Sequence, residues 1–551
     1  MVRLEVEAPA GAAIRLRHAE MLNPDGTLYT QNLGLAKATD EYICKGGGKE
    51  VFQPPFTYHG FRYVEVTGLP EPPGKDLITG VVFHTDAPIV GRLETSDAML
   101  NKLRDNTLWS QRANMMTVPT DCPQRDERLG WNGDAQVFAQ TAILNMDMSR
   151  FFAKFTDDLR DAQLPDGRFG DWNPCANTFN APGWAEAGLI IPWRLYENYA
   201  NKRALEEQFE AARKYVEYIH VRNPDHIYRN GHGNLYGDWL CGDAINVEGY
   251  PKHGARGDFQ VFATTYYAYA AKLLADMAEA LGESKDARKY RALAKDIKDA
   301  FAREFIDPNG RIQGGTQSAY ALALYYDLVP SDLRVPAFGH LLEQLARYDN
   351  RISTGFMATV PLMYVLADMD RLDVAYSLLL SRRVPSWGFM VDAGATTIWE
   401  TWDGYVPGRV STTPNATSFN HFAFGAILEW MWRIMVGLEH DHAHPGYKHF
   451  VIQPRPGGGI QWVSGHYDSI RGRIAAAWRD EGNQFVMDVA VPPNASATVH
   501  VPASSLEKVR ENGRDAATAA GLTFVGIQNG YVLFEAGSGV YSFNASRTNE
   551  E

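Results

Sequence analysis

The chain has 551 residues, 45% of them hydrophobic, and single hydrophobic cores stop growing near ~250–300 residues, so we expect two or three domains. Its 53 basic and 66 acidic residues give a net charge of -13 with no basic tract, which argues against nucleic acid as a partner. No segment approaches the ~20 apolar residues that cross a bilayer, and the first residues lack the features of a signal peptide, so neither a membrane span nor export is expected.

The four cysteines, Cys44, Cys122, Cys175 and Cys241, are widely spaced and form no C-x-x-C pair. This spacing indicates neither a zinc site nor a disulfide framework. Reduced thiols fit a cytoplasmic location, which we therefore expect.

The first region, to about residue 90, alternates apolar and polar residues in the segments VRLEVEA, AIRLRHAE, FRYVEVTGL and ITGVVFHT. Clusters of glycine and proline separate these segments, as turns between strands require. The pattern predicts a β-structured N-terminal domain.

From residue 91 to about residue 440 the apolar residues recur at steps of three and four, which is typical of amphipathic helices. Roughly twelve helices are predicted, enough for six hairpins in a toroid. Their predicted positions are near 96–115, 134–146, 149–163, 183–200, 203–221, 258–282, 284–305, 316–328, 334–348, 355–368, 371–381 and 417–438. After residue 440 short, regularly spaced strands return, as in a β-sandwich.

The segment from Asp121 to Asp134 places four carboxylates and two arginines beside a tryptophan: Asp121, Asp126, Glu127, Asp134, Arg125, Arg128 and Trp131. Crowded carboxylates raise one another's pKa, so Glu127 can stay protonated near neutral pH and act as a general acid. This requires that the arginines neutralise its neighbours and not the glutamate itself. A helix N-cap followed by a solvated charged loop explains the composition about equally well.

A second acid lies in GATTIWETWDG, where Glu400 stands between Trp399 and Trp402. Inverting hydrolysis of a glycosidic bond needs one carboxylic acid for the leaving oxygen and one carboxylate for the attacking water, ~6.5–9.5 Å apart. Glu127 and Glu400 are so distant in sequence that they can meet only across a closed barrel. Asp403 competes for the second role, but its Asp-Gly sequence favours a turn.

Other segments between the predicted helices combine an aromatic ring with a polar group: GDW at 170–172, GWAE at 183–186, GDW at 237–239 and NHF at 420–422. Such pairs suit a sugar, because its C–H face stacks on an indole while its hydroxyls need fixed acceptors. Core packing explains any single tryptophan about equally well. A lone histidine such as His421 is more often a structural hydrogen-bonding group than a ligand.

The stretch TDCPQRDERLGWNGDAQ, from Thr120 to Gln136, closely resembles a motif of the bacterial α-L-rhamnosidases of glycoside hydrolase family 78. Further segments that resemble the family are RHAEMLNPDGTLYT, HGFRYVEVTG, YGDWL, TTIWETWDG, SFNHFAFGA and GYKHFVIQPRPGG. The resemblance covers nearly the whole chain. It implies a multidomain α and β protein with a central (α/α)6 barrel at 91–440 between β-sandwich domains at 1–90 and 441–551, the first incomplete relative to the family.

The resemblance also implies inverting hydrolysis of terminal α-L-rhamnose from flavonoid glycosides, saponins or pectic oligosaccharides. Glu127 is similar to the general acid of the family and Glu400 to its general base. The implied substrate-binding residues are Asp121, Arg125, Trp131, Asp134, Trp184, Trp239, Trp399 and His421. Neither a metal nor a cofactor is implied. At Glu186 the family commonly has aspartate, so the longer side chain is expected to shift a contact in the pocket.

Three alternatives remain open at this point. A non-catalytic carbohydrate-binding protein conflicts with the intact Glu127 and Glu400. A polysaccharide lyase needs a basic groove, and the loops here are acidic. An α-glucoside-type inverting glycosidase on the same toroid is excluded only by the family motif. In addition, an incomplete first domain would expose a sheet edge through which the chain can form oligomers.

Overall fold

The computed structural model describes residues 1–175, 179–406, 409–410 and 417–546 of a multidomain protein that combines helices with several sheets. The strands predicted for the N-terminal region are present. They are β1 (Val2–Glu7), β2 (Ala13–Ala19), β3 (Met21–Leu22), β4 (Leu28–Tyr29), β5 (Thr39–Ile43), β6 (Lys49–Phe52), β7 (Tyr63–Thr67) and β8 (Ile78–Gly80).

Two antiparallel three-stranded sheets form most of the N-terminal region, with β1 between β6 and β8, and β2 between β5 and β7. Alternate side chains of a strand point to opposite faces, so Val2, Leu4 and Val6 are buried together. They pack with Ile14 and Leu16 of β2 into a core that is separate from the core of the other regions.

The middle of the chain is helical, as predicted. Its helices are α1 (Ala98–Asn114), α2 (Asn132–Asn145), α3 (Ser149–Asp161), α4 (Ala187–Tyr199), α5 (Lys202–Arg222), α6 (Phe259–Leu281), α7 (Ser284–Phe305), α8 (Gln317–Tyr325), α9 (Arg334–Arg347), α10 (Phe356–Asp368), α11 (Leu372–Leu379), α12 (Trp387–Asp392) and α13 (Ile427–Trp430). The predictions for α1 to α11 are confirmed to within a few residues. In the described part of the chain, no helix is long and apolar enough to span a membrane.

The prediction of a helix near 417–438 is confirmed for residues 423–436 and wrong for residues 417–422. A 3-10 turn (Ala423–Ala426), α13 and a π-helical turn (Met431–Val436) form the helical part. The residues before it form backbone hydrogen bonds with another segment instead, from Glu400 N to Ser418 O and from His421 N to Ile398 O. The sequence analysis missed α12 because six residues are too few to show a helical period.

The helices form an inner and an outer set. In the inner set, α2, α4, α6, α8, α10 and α13 each contact the next helix of this series, and α13 contacts α2. Helices α2 and α10 are buried along almost their whole length, whereas α7 and α9 bury only one face, against α6 and α8. An amphipathic stripe is sufficient for an outer helix, whereas an inner helix is covered on all sides, so polar residues of α2 such as Asp134 and Gln140 are buried as well.

The short strands between the helices are β10 (Met115–Met116), β11 (Val118–Pro119), β12 (Gly130–Trp131), β13 (Trp172–Asn173), β14 (Tyr405–Val406) and β15 (Arg409–Val410). The C-terminal strands are β16 (Leu438–His440), β17 (His449–Ile452), β18 (Trp462–Ser469), β19 (Gly472–Asp480), β20 (Gln484–Val491), β21 (Ser496–Pro502), β22 (Val509–Glu511), β23 (Arg514–Asp515), β24 (Leu522–Gln528), β25 (Tyr531–Ala536) and β26 (Gly539–Ser546).

The C-terminal strands form a five-stranded sheet in the order β16-β17-β21-β25-β24 and a larger sheet in the order β23-β22-β26-β20-β19-β18, with one further edge strand. That edge strand is β9 (Gly91–Thr95), which precedes α1 in the chain and pairs with β18. Both sheets share one continuous hydrophobic core with the helices.

Candidate active site

One cavity of about 450 Å³ lies where the segments that precede α2, α4, α6 and α13 meet. Because all four segments lead into the N-terminal ends of inner helices, the cavity opens at one end of the helical region. Its lining consists of Asp121, Arg125, Glu127, Trp131, Asp134, Trp184, Tyr236, Trp239, Leu240, Ala244, Glu400, Thr401 and His421. The cavity thus brings together every site residue predicted from the sequence except Trp399.

Arg125 links the two glutamates that the sequence analysis singled out. Its Nη2 lies 2.8 Å from Glu127 Oε2, and its Nη1 lies 3.2 Å from Glu400 Oε2. Its Nη2 is also 3.5 Å from Asp121 Oδ2. A planar guanidinium with five N–H donors can serve several carboxylates at once. The arginine therefore pairs with Glu127 as well as with its neighbours. The sequence analysis had required that it neutralise only the neighbours, so that Glu127 can hold a proton.

Glu127 lies closer to solvent than Glu400. Its side chain is 30% exposed, against 8% for Glu400. Trp131 Nε1 donates a hydrogen bond of 2.8 Å to Glu127 Oε1, so both carboxylate oxygens accept from the surrounding loop. Arg128 does not contact the glutamate in this way, and its guanidinium lies over the ring of Tyr58, 4.4 Å from the centroid.

Glu400 is held by the segment that begins at residue 417. Ser418 N donates to Glu400 Oε2 at 2.7 Å, and Ser418 Oγ donates to Gln124 Oε1 at 3.0 Å, which joins this segment to the loop of Arg125. Trp399, the neighbour of Glu400, is buried and packs edge-on against Phe419, with ring centroids 5.5 Å apart. Trp399 therefore lies outside the cavity lining, because adjacent side chains point in different directions.

Two groups of the cavity titrate close to neutral pH. Burial, together with the negative charge of Glu127, raises the pKa of Asp121 to about 7. Burial lowers the pKa of His421, but the hydrogen bond and charge of Asp134, whose Oδ1 lies 3.0 Å from His421 Nε2, outweigh it and raise the pKa to about 8. The histidine is thus tied to an aspartate inside the cavity, a role for which the sequence alone gave little support.

The aromatic side of the cavity is centred on Tyr236, which the sequence analysis missed. Its ring centroid lies 4.7 Å from that of Trp184, 5.8 Å from that of Trp239 and 5.9 Å from that of Trp131. The signal was present, because Tyr236 opens the segment YGDWL, from which only the tryptophan was assigned. A Cβ at Gly133 would lie 2.6 Å from the indole of Trp184, so only glycine allows α2 to approach this ring.

Several carboxylates from the predicted loops serve the fold instead of lining the cavity. Asp238 accepts from Gly355 N at 2.6 Å at the start of α10, and Asp403 accepts from Asn246 N at 2.8 Å. Glu186 is fully buried and accepts from Gly183 N and from the hydroxyl of Tyr215, each at 2.7 Å. The expectation that Glu186 shifts a pocket contact is therefore wrong, since its carboxylate is bound inside the core. Two further carboxylates also bind backbone groups: Asp171 accepts from Ala181 N, and Asp126 accepts from Leu35 N.

Two residues of the lining and the adjacent Cys122, which is not part of the lining, form a group of possible metal ligands. Asp121, Cys122 and Glu127 carry ligand atoms within 4.8 Å of one another. The guanidinium of Arg125 contacts both carboxylates, at 2.8 Å from Glu127 and 3.5 Å from Asp121.

A second cavity, of about 550 Å³, lies toward the opposite ends of the inner helices. Its charged groups are paired with one another, for example Arg194 Nη1 with Glu197 Oε2 at 2.9 Å. It contains neither Glu127 nor Glu400, so we place the candidate active site in the smaller cavity.

Comparisons with known proteins agree along the whole chain. Residues 88–435 match the family model described as the bacterial alpha-L-rhamnosidase 6 hairpin glycosidase domain, residues 1–84 the concanavalin-like domain and residues 437–515 the C-terminal domain of the same proteins. The chain is 43% identical to an alpha-L-rhamnosidase of Streptomyces avermitilis, over 98% of this chain and 50% of that protein.

Two solved structures resemble the chain closely. The Streptomyces avermitilis alpha-L-rhamnosidase complexed with L-rhamnose has a TM-score of 0.92 and 41% identity, covering 99% of this chain and 51% of the other. The alpha-L-rhamnosidase from Dictyoglumus thermophilum has a TM-score of 0.90 and 35% identity, covering 99% of this chain and 60% of the other. The chain spans about half the length of the curated relatives it matches.

Proposed function

Because the chain belongs to the bacterial α-L-rhamnosidase family, we propose that it is a glycoside hydrolase that releases terminal α-L-rhamnose from flavonoid glycosides, saponins or pectic oligosaccharides. One observation carries the proposal: Glu127 and Glu400 meet in one aromatic-lined cavity, joined by the guanidinium of Arg125. A pair of carboxylates beside aromatic faces is what the hydrolysis of a glycoside needs.

Glu127 acts as the general acid and Glu400 as the general base. An aglycone of variable size has to leave toward solvent, so the acid belongs at the more exposed position, which is that of Glu127. Glu400 lies deeper, where it can activate a water molecule on the opposite face of the sugar. Arg125 stands between the two carboxylates and supports the wider spacing of about 6.5–9.5 Å that goes with inversion.

The entering substrate has to break the contact between Arg125 and Glu127. Arg125 then stays paired with Asp121 and Glu400, to which it is also bound in the free protein. Only in that state are the neighbours of Glu127 neutralised while the glutamate itself is unpaired, which is the condition for it to hold a proton.

The sugar is held by two kinds of group. Asp121, Asp134 and His421 offer hydrogen-bonding partners for the rhamnose hydroxyls. The rings around Tyr236, which belong to Trp131, Trp184 and Trp239, offer flat apolar faces for the C–H groups and the methyl group. Trp399 lies outside the lining and packs against Phe419, the neighbour of the Ser418 that binds Glu400.

We also propose the finer architecture. The inner helices form the inner ring of an (α/α)6 barrel at 91–440, supported by the closed series of contacts from α2 to α13, with β-sandwich domains at 1–90 and 441–551. We place the chain in the cytoplasm because its four cysteines are widely spaced and form no C-x-x-C pair, which fits reduced thiols. Oligomers could form through an edge of the N-terminal sheets, where Val51 of the edge strand β6 is 59% exposed.

The test is hydrolysis of p-nitrophenyl α-L-rhamnoside beside the corresponding α-glucoside and α-L-arabinoside, with the released sugar followed by NMR. We expect turnover of the rhamnoside and β-L-rhamnose as the first anomer formed. Initial release of the α anomer would overturn inversion, preference for the glucoside would overturn the substrate, and no turnover would overturn the proposed enzyme.

A further inference from the structure

Two histidines and an aspartate come together in the N-terminal region, outside the candidate active site. His18 lies on β2, Asp40 on the neighbouring strand β5 and His59 in the segment that leads to β7. One ligand atom from each residue lies within 4.8 Å of the others. His59 Nε2 is 3.0 Å from Asp40 Oδ1, and His18 Nε2 is 4.0 Å from Asp40 Oδ2.

Two atoms of this cluster face each other as unpaired acceptors. His18 Nδ1 lies 3.0 Å from Ala38 O, and since a carbonyl can only accept, Nδ1 carries the hydrogen and Nε2 of the neutral ring has a free lone pair. Among the described residues, neither His18 Nε2 nor Asp40 Oδ2 has a hydrogen-bond partner, and both atoms are buried. Buried acceptors in this position call for a cation between them.

The ligand set suits zinc. Bonds of ~2.0–2.1 Å in tetrahedral geometry place neighbouring ligand atoms about 3.3 Å apart. Each histidine Nε2 faces a different oxygen of Asp40, at 3.0 Å for His59, where the contact is a hydrogen bond, and at 4.0 Å for His18, so small rotations of the side chains bring one atom of each residue onto a common ion. The contact from His18 Nδ1 to Ala38 O is the outer hydrogen bond that metal-bound histidines usually make. Imidazole nitrogens favour transition metals over calcium or magnesium.

We propose that His18, Asp40 and His59 bind one divalent transition-metal ion of the zinc class, with a fourth position left for water. The side chains of Asp40 and His59 are 9% and 11% exposed, so the cluster is close enough to the surface for an ion to enter.

Such an ion would stabilise the N-terminal region at its contact with the loop of the candidate active site. Gly60, next to His59, donates from its backbone N to Pro123 O at 3.1 Å, and a Cβ at Gly60 would lie 2.6 Å from Pro123. Pro123 belongs to the same loop as Arg125. The ion would therefore stabilise the contact between strands and loop, and it has no part in the hydrolytic step.

The experiment is a calorimetric titration of the chelator-treated full chain with Zn²⁺, repeated with Co²⁺ to record the visible absorption of a tetrahedral site. We expect one ion per chain and a higher unfolding temperature with zinc. In His59→Gln and Asp40→Asn the affinity should fall by roughly 100-fold or more, beyond the 10–100-fold cost of losing an outer partner. His340→Gln is the matched control, because His340 makes the same 3.0 Å contact with a carboxylate, Glu343, but has no second histidine in a metal cluster among the described residues.

Absence of zinc binding by the folded wild-type chain, or equal binding by the wild type and both variants, would overturn the proposal. If Asp40→Asn fails to fold, the more exposed His59→Gln decides the test together with the cobalt spectrum of the wild type. Because none of these measurements uses rhamnoside hydrolysis, the outcome is independent of the proposed activity.

Discussion

At the scale of single residues, one guanidinium holds together three carboxylates from two distant segments. Arg125 contacts Asp121, Glu127 and Glu400, and its single positive charge reduces the repulsion among these three carboxylates. Removing one member of such a buried group leaves the others uncompensated. Variants of the two glutamates must therefore be isosteric if they are to report on chemistry and not on folding.

Glu127→Gln should separate substrates by their leaving group. An activated aryl rhamnoside needs little help from an acid and should keep most of its turnover, whereas a rhamnoside with a poor leaving group should lose about 10²–10⁴-fold in kcat. Steady-state kinetics on both substrates checks this. Asp126→Asn is the control, because this neighbouring carboxylate is exposed and bonds to Leu35 N. Equal losses on both substrates in Glu127→Gln would move the acid role elsewhere.

Glu186→Asp should affect stability and not catalysis. The shorter side chain cannot reach both Gly183 N and the hydroxyl of Tyr215, and one unpaired buried partner costs about 1–3 kcal/mol of the free energy of unfolding. Urea denaturation measures this loss, while kcat and KM should stay unchanged. Glu206→Asp, on the exposed face of α5, should change stability little. A changed KM in Glu186→Asp would show that this residue does affect substrate binding.

At the scale of elements, the N-terminal strands contact the segment that holds Glu400 through one buried glutamate. Glu20 Oε2, just after β2, accepts from Phe419 N and from Asn32 Nδ2, each at 3.0 Å. Asn32 Nδ2 also lies 3.1 Å from Thr417 O, so both residues fix the backbone on either side of Ser418, whose N binds Glu400.

Glu20→Ala should therefore lower kcat by about 10–100-fold with little change in KM, because small displacements of a reacting group are costly. Glu20→Gln should keep most of the activity, since its carbonyl oxygen still accepts. Glu50→Ala is the matched control: Glu50 is equally buried in the same region, but it binds Tyr42, Lys45 and Gly46.

The two glutamates can be tested together. If Glu20 acts through Glu400, the double variant Glu20→Ala/Glu400→Gln should be no slower than Glu400→Gln alone. If the losses of kcat from the two substitutions multiply in the double variant, Glu20 does not act through Glu400. An equal loss of kcat in Glu50→Ala would likewise show that Glu20 is only a structural residue.

Elements with local signals were predictable from the sequence, and those decided by distant contacts were not. The outer helix α7 shows its period directly because one face is buried, and it was predicted at its observed bounds. The segment 417–422 was predicted as the start of a helix, but its backbone pairs with the segment of Glu400. The contiguous charges from Asp121 to Asp134 pointed to the cavity, whereas the positions of Tyr236 and Trp399 depend on which side of a loop faces it.

At the scale of the whole molecule, several buried groups make stability depend on pH. Burial raises the pKa of Glu20 to about 8 and that of Glu186 to about 7. Burial and the charge of Glu127 raise the pKa of Asp121 to about 7 as well. Burial lowers the pKa of His421, but Asp134 outweighs it and brings the value to about 8. In the unfolded chain carboxyls titrate near pH 4 and histidines near pH 6.5.

Between pH 6.5 and 8 the folded chain therefore binds more protons than the unfolded chain, and the free energy of unfolding should fall as the pH rises through this range. The Met1 amine opposes this trend, because burial lowers its pKa. Burial also lowers the pKa of five histidines, which oppose the trend mainly near pH 6.5, where unfolded histidines are half protonated: His18, His220, His440, His466 and His500. Urea denaturation at both ends of the range checks the sign. Glu20→Gln removes one of these titrating groups and should flatten the slope, and a stability that rises with pH would contradict the assignment.

Strand β9 has a consequence for how the chain is made. It leaves the ribosome before every helix, but its partner β18 is translated after all of them. At ~5–20 residues per second the wait is roughly 20–70 s, during which an unpaired strand is attached to helices that are already forming. Chaperones that shield nascent chains would have to cover β9 in this interval. For the same reason, expressing the helical region without the C-terminal strands would leave β9 permanently without its pairing partner β18.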